Sequence, residues 1–333
     1  MSEKWILWDL NDVDKRSDSS YLRTKLKNQL IVIYHNMKTL KLMKFIPILL
    51  IYLYSTTPVE AKNTLSIKKG DEKIDVFLEG VNEPIVTQNT KNGFRPYLHP
   101  IQGPGGNGIF TQYSPGHHKH QTGLYWGLTR VNSRDYFHNP NSKYWRKKSA
   151  TVVKRSDEKV EWKTIYEMLN NEGQSLMTET QSWVMSVTDN GEIILDLEWK
   201  GHADEKITVS KYNYGGLFLR MPWKRNILAE TINSNGDKNQ AGEGKSANWV
   251  DLGMEIAGLE KMGRIVIYDH PSNDGFPNLW RIDGQFGIGP ASARRGNWTI
   301  NKGENKIFKH RLVVYSGKHN KPLVNQKWKE WSQ

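Results

Sequence analysis

The sequence predicts an all-β fold for residues 62–333, built as one large two-sheet antiparallel β-sandwich. Apolar residues in this region recur at every second position, which is the period of a strand with one buried face. Turn-forming residues separate these runs at short intervals, a spacing typical of sandwiches and barrels. No convincing amphipathic helix, internal repeat or low-complexity linker interrupts the region. We therefore expect a single β-sandwich domain over residues 62–333.

The clearest pair of predicted strands flanks Asn190-Gly191. This dipeptide between two alternating runs favours a tight hairpin, because both residues tolerate positive φ. A second hairpin turn is expected at Asn170–Gly173. In chain order, the strands are expected around Ile74, Val76 and Leu78; Trp183, Met185 and Val187; Ile193, Leu195, Leu197 and Trp199; Ile207 and Val209; Ile265 and Ile267; and Phe308, His310, Leu312 and Val314.

Residues 37–61 have the three parts of a secretory signal peptide. Three lysines precede the apolar run 45–54, and Val59-Glu60-Ala61 supplies small residues for cleavage. The run is 10 residues long, about half of the ~20 that a membrane-spanning helix needs. A short buried helix is the alternative. We expect a periplasmic or secreted protein without stable membrane insertion after signal cleavage.

Residues 1–36 are polar, without periodicity and unlike the region that follows. A signal peptide begins close to its start methionine, so Met37 or Met43 would be a more usual start. Residues 1–36 are therefore predicted to be a non-native or disordered extension. A genuine N-terminal extension is the alternative.

Composition and charge narrow the classes of site and partner. The 333 residues include no cysteine, which excludes disulfides, thiolate nucleophiles and sulfur-based zinc sites. Residues 1–61 carry nine Lys and Arg and six Asp and Glu, so residues 62–333 keep +9 of the net +12. A positive surface concentrates anionic ligands. No nucleic acid is expected, because no basic reading motif appears. An acidic polysaccharide is favoured, with a merely soluble basic surface as the alternative.

Two loop-rich stretches, 92–147 and 221–249, are where the site is expected, because long loops in compact β domains usually carry function. The first contains a cluster of three histidines, His117, His118 and His120. If a strand begins near residue 123, the last two project from the same side of the chain. They are predicted to be catalytic, moving protons on a sugar. A histidine-rich exposed loop is the alternative.

The same pair, His118 and His120, could also bind a divalent metal. A zinc-type site would need a third ligand, such as His99, His270 or a carboxylate. No cofactor is predicted, and a divalent metal at these two histidines is kept as an alternative.

A second polar cluster follows the strand that ends near Tyr268. Asp269 and His270 face opposite ways in an extended chain, so a direct pair between them is not expected. His270 is predicted to be catalytic, and Asn273 and Trp280 are predicted to contact substrate. The alternative is a simple turn, which Asn and Pro favour.

Two arginines, Arg95 and Arg220, lie at expected strand ends. A planar guanidinium can bind a carboxylate or sulfate through two hydrogen bonds, so both are predicted substrate contacts. A buried structural ion pair is the alternative. Glu243 and Asp251 are candidate carboxylates for a glycosidic mechanism.

The chain is rich in aromatic residues, with 13 Trp and 14 Tyr. Aromatic rings stack on the apolar faces of sugars, although core filling explains many of these side chains equally well. The sequence lacks Gly-x-Ser-x-Gly, P-loop, dinucleotide-glycine and His-Glu-x-x-His motifs, which argues against those chemistries. The candidates for a sugar platform are Trp126, Trp223, Trp249 and Trp280.

Taken in order, several motifs resemble a bacterial family labelled PmoA-like, or methane-oxygenase-like, over about residues 70–320. That family usually reads Asp-His-Pro-His-His where this chain has residues 117–121. His118 and His120 match, but the acidic residue is replaced by His117, so no role of that residue is carried over. The matching motifs are Arg95-Pro96, His99-Pro100, Gly103-Pro104, Gly123-Leu124, Tyr214-Gly215-Gly216-Leu217, Arg220, Asn233-Ser234, Gly236, Gly244-Lys245, Trp249-Val250-Asp251, Gly263, Asp269-His270-Pro271, Asn273, Pro277, Trp280, Arg311, Tyr315 and Gly317.

That family is similar to the galactose-mutarotase-type β-supersandwich proteins, and its members commonly lie among genes for polysaccharide use. The resemblance therefore implies a supersandwich-like fold and a carbohydrate-active role. The oxygenase label is not carried over as chemistry, because a membrane monooxygenase subunit needs several spanning helices and none is predicted after the signal.

Two hypotheses on function follow. The first is a secreted carbohydrate-active enzyme, a glycoside hydrolase or polysaccharide lyase acting on a plant or algal, acidic glycan; an epimerase would share the first step of a lyase. The second is a non-catalytic glycan-binding protein. The residues predicted to contact a poly- or oligosaccharide are Arg95, His99, Arg220, Glu243, Trp249, Asn273 and Trp280.

Overall fold

The computed structural model describes residues 63–333, which form a β-sandwich of two eight-stranded antiparallel sheets and a small two-stranded sheet. This confirms the predicted fold class. The strands are β1 (Leu65–Lys69), β2 (Lys73–Leu78), β3 (Val86–Asn89), β4 (Tyr97–Ile101), β5 (Leu124–Gly127), β6 (Trp145–Arg155), β7 (Lys159–Leu169), β8 (Ser175–Val187), β9 (Ile193–Ala203), β10 (Ile207–Val209), β11 (Gly216–Leu219), β12 (Ala229–Asn233), β13 (Trp249–Met254), β14 (Gly263–Asp269), β15 (Trp280–Ile282), β16 (Ile288–Pro290), β17 (Trp298–Ile300) and β18 (Asn305–Ser316).

Strand order defines the two layers. The first sheet has the order β1-β2-β3-β4-β5-β11-β16-β15, and the second has the order β12-β13-β14-β18-β9-β8-β7-β6. Strands β10 and β17 pair separately. The core lies between the two large sheets, and the rings of Trp126 on β5 and Trp199 on β9 stack across it with centroids 4.4 Å apart.

The two predicted hairpins are confirmed. Strands β8 and β9 pair in register from Val187↔Ile193 outward, and Gly191 in their turn has φ +82°. In the turn between β7 and β8, Asn170 accepts backbone hydrogen bonds from Glu172 and Gln174, as an asparagine at the start of a turn commonly does. The alternating pattern therefore located both the strands and their connections.

The expectation that the chain lacks a convincing amphipathic helix is wrong at the C-terminus. Helix α1 spans Lys321–Trp331, and Asn320 caps it by accepting a hydrogen bond from the Leu323 backbone N–H. Only Val324 of this helix is fully buried. It packs with Trp328 and Trp331 on the outer face of the second sheet. With so few apolar contacts, the helix has a weak periodic signal in the sequence.

The predicted signal peptide (residues 37–61) and the N-terminal extension (residues 1–36) lie outside the described residues. Within residues 63–333, no helix is both long enough and apolar enough to cross a membrane.

The stretches expected to be loops contain strands as well. Residues 92–147 include β4 and β5, and residues 221–249 include β12. Even so, the chain between β4 and β5 and the chain between β5 and β6 are long connections over the outer face of the first sheet. They carry the histidines of the candidate site.

Candidate functional site

A pocket opens on the outer face of the first sheet, where the loops before and after β5 meet the ends of β11 and β15. Its volume is about 110 Å³, whereas enclosed pockets for small molecules measure roughly 300–1,000 Å³. It therefore holds the end of a ligand rather than a whole large one. It is lined by His118, His120, Gln121, Phe137, His138, Tyr214, Phe218, Arg281 and Asp283.

Aromatic side chains from adjacent strands form the floor. Tyr97 on β4 lies opposite Tyr125 on β5, and Tyr125 lies opposite Phe218 on β11. Alternation along the strands points these rings away from the core between the sheets. Phe137 covers Tyr125 and Phe218 at centroid distances of 5.3 and 5.2 Å. Tyr97 and Tyr214 pack against this cluster from its margins.

His118 and His120 both line the pocket, with ring centroids 5.7 Å apart. The segment consists of turns rather than the extended chain assumed from the sequence, yet the two side chains share one side as predicted. Burial, with added repulsion from His138, Arg95 and His118, lowers the pKa of His120 to about 3. Burial and the Arg220 charge also lower the pKa of His118. Both rings are therefore neutral at pH 7.

A third histidine, His138, is held by a carboxylate. Its Nδ1 lies 2.6 Å from Asp135 Oδ2, and its backbone N–H donates to Asp135 Oδ1 at 3.1 Å. Burial acts to raise the pKa of Asp135, but hydrogen bonds from His138 and from the Phe137 N–H outweigh burial and lower it. A carboxylate on Nδ1 selects the tautomer whose Nε2 is a free acceptor. That Nε2 faces the pocket beside His120, whose ring centroid is 4.4 Å away.

Tyr214 completes this group. Its Oη lies 3.3 Å from His138 Nε2 and 3.4 Å from Tyr212 Oη. Burial and the neighbouring Tyr212 hydroxyl raise the pKa of Tyr214, so the phenol keeps its proton at neutral pH. The pocket thus places an oriented imidazole acceptor and a phenol donor side by side.

Arg281 is the partly exposed cation of the pocket, with 31% of its side chain accessible. Its Nη1 donates to Glu243 Oε1 at 2.8 Å, and Arg294 Nη1 lies 2.9 Å from the same oxygen. The other oxygen of Glu243 accepts the Ile282 backbone N–H. Glu243 was predicted to contact substrate; in the structure it instead positions Arg281.

Arg95 is buried and does not reach the pocket surface. Its Nη1 donates to the Phe137 carbonyl at 2.7 Å, and its Nη2 donates to the His120 carbonyl at 2.7 Å. The guanidinium also stacks over Tyr125, 3.7 Å from the ring centroid. Desolvation lowers the pKa of Arg95 to about 10, so it stays charged. The arginine therefore fixes the two histidine-bearing loops, and the geometry does not support the predicted direct substrate contact.

Arg220 is also buried, which agrees with the alternative that it forms a structural ion pair. Its Nη2 donates to Asp283 Oδ2 at 2.7 Å, its Nε to Gln121 Oε1 and its Nη1 to the Gln285 carbonyl. The ion pair leaves Asp283 in the pocket wall with its charge compensated. Arg220 contributes positive potential to the pocket, but it does not bind a ligand in this arrangement.

His270 is not brought to the pocket. It follows β14 in the second sheet, its ring packs edge-on against Trp331 of α1 at 4.9 Å, and its Nδ1 lies 2.7 Å from Ser272 Oγ. As expected, it makes no pair with Asp269, whose carboxylate instead accepts hydrogen bonds from Asn273 and Asn278. The structure gives no support to a catalytic role for His270.

Three predicted substrate contacts, Asn273, Trp249 and Trp280, are buried. The indole N–H of Trp280 donates to the Ala247 carbonyl at 2.8 Å, and that of Trp249 donates to Asn325 Oδ1 at 2.9 Å. Their polar groups are already paired, so these rings fill space rather than offer a sugar platform.

The two remaining candidates, Asp251 and His99, also lie outside the pocket. Asp251 is buried, and its carboxylate binds Arg264 and Tyr315. His99 lies on the outer face near Tyr113, and its Nδ1 is 2.9 Å from Thr111 Oγ1. His99 does not line the pocket.

A divalent metal was an alternative for His118 and His120. Among residues 63–333, no group of three or more His, Asp or Glu side chains is arranged to hold a metal ion. Metal binding by His118 and His120 therefore stays a prediction, and these residues do not show a complete set of ligands for it.

The sequence analysis did not single out Asp135, His138 or Arg281, and it included Tyr214 only as part of a motif. The spacing Asp135-x-x-His138 is a short-range signal, since an aspartate often accepts hydrogen bonds from residues two and three positions on. The partners Tyr214 and Arg281 are distant in sequence, and only the strand order brings them to the same pocket.

The fold and the pocket define a large β-sandwich protein with a cluster of histidines on the outer face of one sheet. The chain belongs to the family described as a family of unknown function, DUF6807, whose match covers residues 73–329. No curated protein matches the chain significantly. The family match gives no support to the methane-oxygenase label suggested by the resemblance.

Several solved structures are similar to the chain at low identity. Galactose 1-epimerase from Lactobacillus acidophilus NCFM is 8% identical, with a TM-score of 0.37 over 77% of this chain and 99% of the epimerase. An aldose epimerase homologue from C. elegans is 9% identical, with a TM-score of 0.32 over 78% and 100%. A polysaccharide lyase is 11% identical, with a TM-score of 0.27 over 77% of this chain and 33% of the lyase. Because these similarities are weak, function has to be argued from the pocket.

Proposed function

We propose that the protein is a secreted carbohydrate-active enzyme that moves protons on an acidic sugar, as a polysaccharide lyase or an epimerase does. One observation carries the proposal. His138, held by Asp135, presents Nε2 as an acceptor 3.3 Å from the Tyr214 hydroxyl, in a pocket that also contains the partly exposed Arg281. This arrangement supplies a base, an acid and a cation at one place.

Proton transfer fits the pocket better than hydrolysis. A glycoside hydrolase ordinarily places two carboxyl groups on either side of the scissile bond. Of the described residues that line this pocket, Asp283 is the one carboxylate, and Arg220 neutralises it at 2.7 Å. Asp135 lies behind His138, and Glu243 is held by two arginines. The lyase or epimerase alternative is therefore favoured over the hydrolase alternative.

The charges of the pocket favour an anionic sugar. Arg281 pairs with Glu243 through Nη1, and the buried Arg95, which donates to backbone carbonyls, adds positive potential. The rings of His118 and His120 are neutral at pH 7 and add no charge to that potential. A uronate carboxylate beside Arg281 would be stabilised, and its neutralisation acidifies the adjacent C–H.

His138 and Tyr214 have different roles in the reaction. In an elimination, His138 Nε2 takes the proton from the carbon that bears the carboxylate. The electron pair forms a double bond to the neighbouring carbon, whose bond to the glycosidic oxygen breaks, and Tyr214 gives its proton to that oxygen. In an epimerisation, the bond to the glycosidic oxygen stays intact, His138 Nε2 keeps the proton that it took, and Tyr214 or a water molecule delivers a proton to the other face of the same carbon. The long contact between His138 and Tyr214, 3.3 Å, is weak enough for a substrate to replace.

A product assay with the purified protein tests the proposal. The panel contains homogalacturonan, alginate, glucuronan and chondroitin as uronic glycans, a sulfated glycan, and a neutral xyloglucan. Ultraviolet absorbance reports unsaturated uronate, and NMR in D₂O reports deuterium entering beside the carboxylate. We expect turnover of at least one uronic member and a loss of roughly 10²–10⁴-fold in His138→Gln.

The matched control is His202→Gln, because His202 lies on β9 in the second sheet and bonds to Asn305. It should keep wild-type turnover. Binding of a panel glycan without turnover would favour the glycan-binding alternative. Unchanged turnover in His138→Gln would show that the pocket is not the active site.

A further inference from the structure

A row of aromatic rings lies on the outer face of the first sheet, outside the pocket. Tyr97 and Tyr113 stack at a centroid distance of 5.5 Å with planes 29° apart. Phe94 meets Tyr97 edge-on at 5.8 Å, and the His99 ring lies 5.9 Å from Tyr113. Tyr113 is 45% exposed, which is unusual for a large aromatic ring that has aromatic neighbours to pack with. These four side chains, Phe94, Tyr97, His99 and Tyr113, are called the aromatic platform below.

The aromatic platform lies beside the pocket on the same face of the first sheet. Tyr97 faces Phe218 across the intervening β5, so the two rings lie two strand spacings apart, about 10 Å. Phe218 lines the pocket. A second link is the loop before β5, where Tyr113 pairs with Thr122 and the Ser114 N–H donates to the Gln121 carbonyl at 2.7 Å.

The platform has the chemistry of a sugar-binding surface. Exposed phenol rings present flat apolar faces to the C–H faces of sugars, and their hydroxyls bond sugar hydroxyls. Burial and the Tyr113 hydroxyl raise the pKa of Tyr97, so it stays a neutral donor. Burial lowers the pKa of His99, which keeps a neutral ring held by Thr111 at the edge of the platform.

We infer that the aromatic platform is a second saccharide subsite, so that the substrate is an oligosaccharide or polysaccharide chain and not a free monosaccharide. The inference rests on the proposed function of the pocket. The small pocket takes the reacting sugar, and the next units of the chain run along the loop before β5, where Gly116 and Lys119 are exposed, toward Tyr113 and Tyr97. A single sugar in the pocket is too short to reach the aromatic platform, which lies about two strand spacings away.

Steady-state kinetics with Tyr113→Ala and Tyr113→Phe test the inference. The substrates are the oligosaccharides, up to six units long, of the panel member that turns over. We expect Tyr113→Ala to raise KM about three- to tenfold for chains of four units or more, the size of effect measured for aromatic stacking. KM for the shortest substrate and kcat should not change. Tyr113→Phe keeps the ring and loses only the hydroxyl, so it should raise KM for long chains less than Tyr113→Ala does.

A matched surface control is Leu228→Ala, since Leu228 is 66% exposed and precedes β12 in the second sheet. It should leave every KM unchanged. Equal KM for long chains in the wild type and in Tyr113→Ala would overturn the subsite while leaving the proposed function intact. Turnover of free monosaccharide as efficient as that of the chains would overturn it too. Failure of every panel member would overturn the proposed function and the inference together.

Discussion

Single residues set the chemistry of this pocket through burial and neighbouring charge. His120 is kept neutral because a proton on its ring would be desolvated and repelled by His138 and Arg95. His138 has a different environment, since Asp135 contacts its Nδ1 directly. The rings of His120 and His138, whose centroids are 4.4 Å apart, therefore have different roles. His120 is a neutral hydrogen-bonding group in the wall of the pocket, and His138 is the oriented base.

At this scale, we predict that Asp135→Asn lowers kcat by about 10–100-fold, the range typical for a group that orients a functional imidazole. The amide can donate to Nδ1, which would favour the tautomer that carries its proton on Nε2 and removes the acceptor. The measurement is kcat between pH 5 and 9 on the active panel member, together with the affinity for that glycan.

The control for this variant is Asp204→Asn, because the Asp204 carboxylate lies outside the pocket and accepts hydrogen bonds from Ser175 and Thr178 of β8. A purely structural role of Asp135 would lower the melting temperature and leave the pH profile unaltered. That result would contradict the orienting role.

Secondary-structure elements determine where these residues meet. Strands β4, β5 and β11 are neighbours in the first sheet although β11 is about 90 residues further along the chain, which brings Tyr214 to the histidine loops. The second sheet contributes none of the pocket-lining residues and instead carries α1 on its outer face. A substitution that destabilises α1 should therefore leave the activity of the pocket unchanged.

We predict that Asn320→Ala destabilises the protein by about 1 kcal/mol, because the helix loses its N-terminal cap. Amide hydrogen exchange over residues 321–331 should become faster than in the wild type, and turnover should not change. Asn320→Asp keeps a capping acceptor and should retain near wild-type exchange. Reduced turnover in Asn320→Ala, with the rest of the fold intact, would show that the helix and the pocket are coupled.

For the whole molecule, two buried groups give opposite dependences of stability on pH. Glu179 is fully buried between the sheets, and desolvation raises its pKa to about 7 despite hydrogen bonds from Trp199 and Gln181. The folded state then binds more protons than the unfolded state, so stability falls as pH rises from about 4.5 to 7. His120 acts oppositely, because its lowered pKa makes stability fall as pH drops from about 6.5 to 3.

We predict that Glu179→Gln removes the first of these dependences. A shift from 4.5 to about 7 corresponds to about 3 kcal/mol at high pH, so the variant should gain stability relative to the wild type as pH rises through this range. Urea unfolding between pH 4 and 8 measures the difference. Glu198→Gln, at an exposed carboxylate on β9, is the control and should show no such trend. A constant difference between Glu179→Gln and the wild type would contradict the prediction.

Local patterns were enough to predict much of the fold. The period of two predicts β8 and β9, since the inner face of each strand is buried and most of its alternate residues are polar. Strand β14 was also predicted, although it is buried along its whole length. The Asn190-Gly191 turn is a local conformational requirement and needs no distant partner. Helix α1 was missed because its contacts with the second sheet, not its own pattern, define it.

The sequence by itself determined several strands, among them β8, β9 and β18, the two predicted hairpins and the loop that carries His118 and His120, because each depends on neighbours along the chain. Only the tertiary structure decided which polar side chains are used. Arg95, Arg220, Trp249 and Trp280 have the same residue types as ligand-binding groups, yet they are buried with their polar groups largely paired. Strand order and solvent exposure select Asp135, His138, Tyr214 and Arg281 instead, and both properties depend on contacts between residues far apart in the chain.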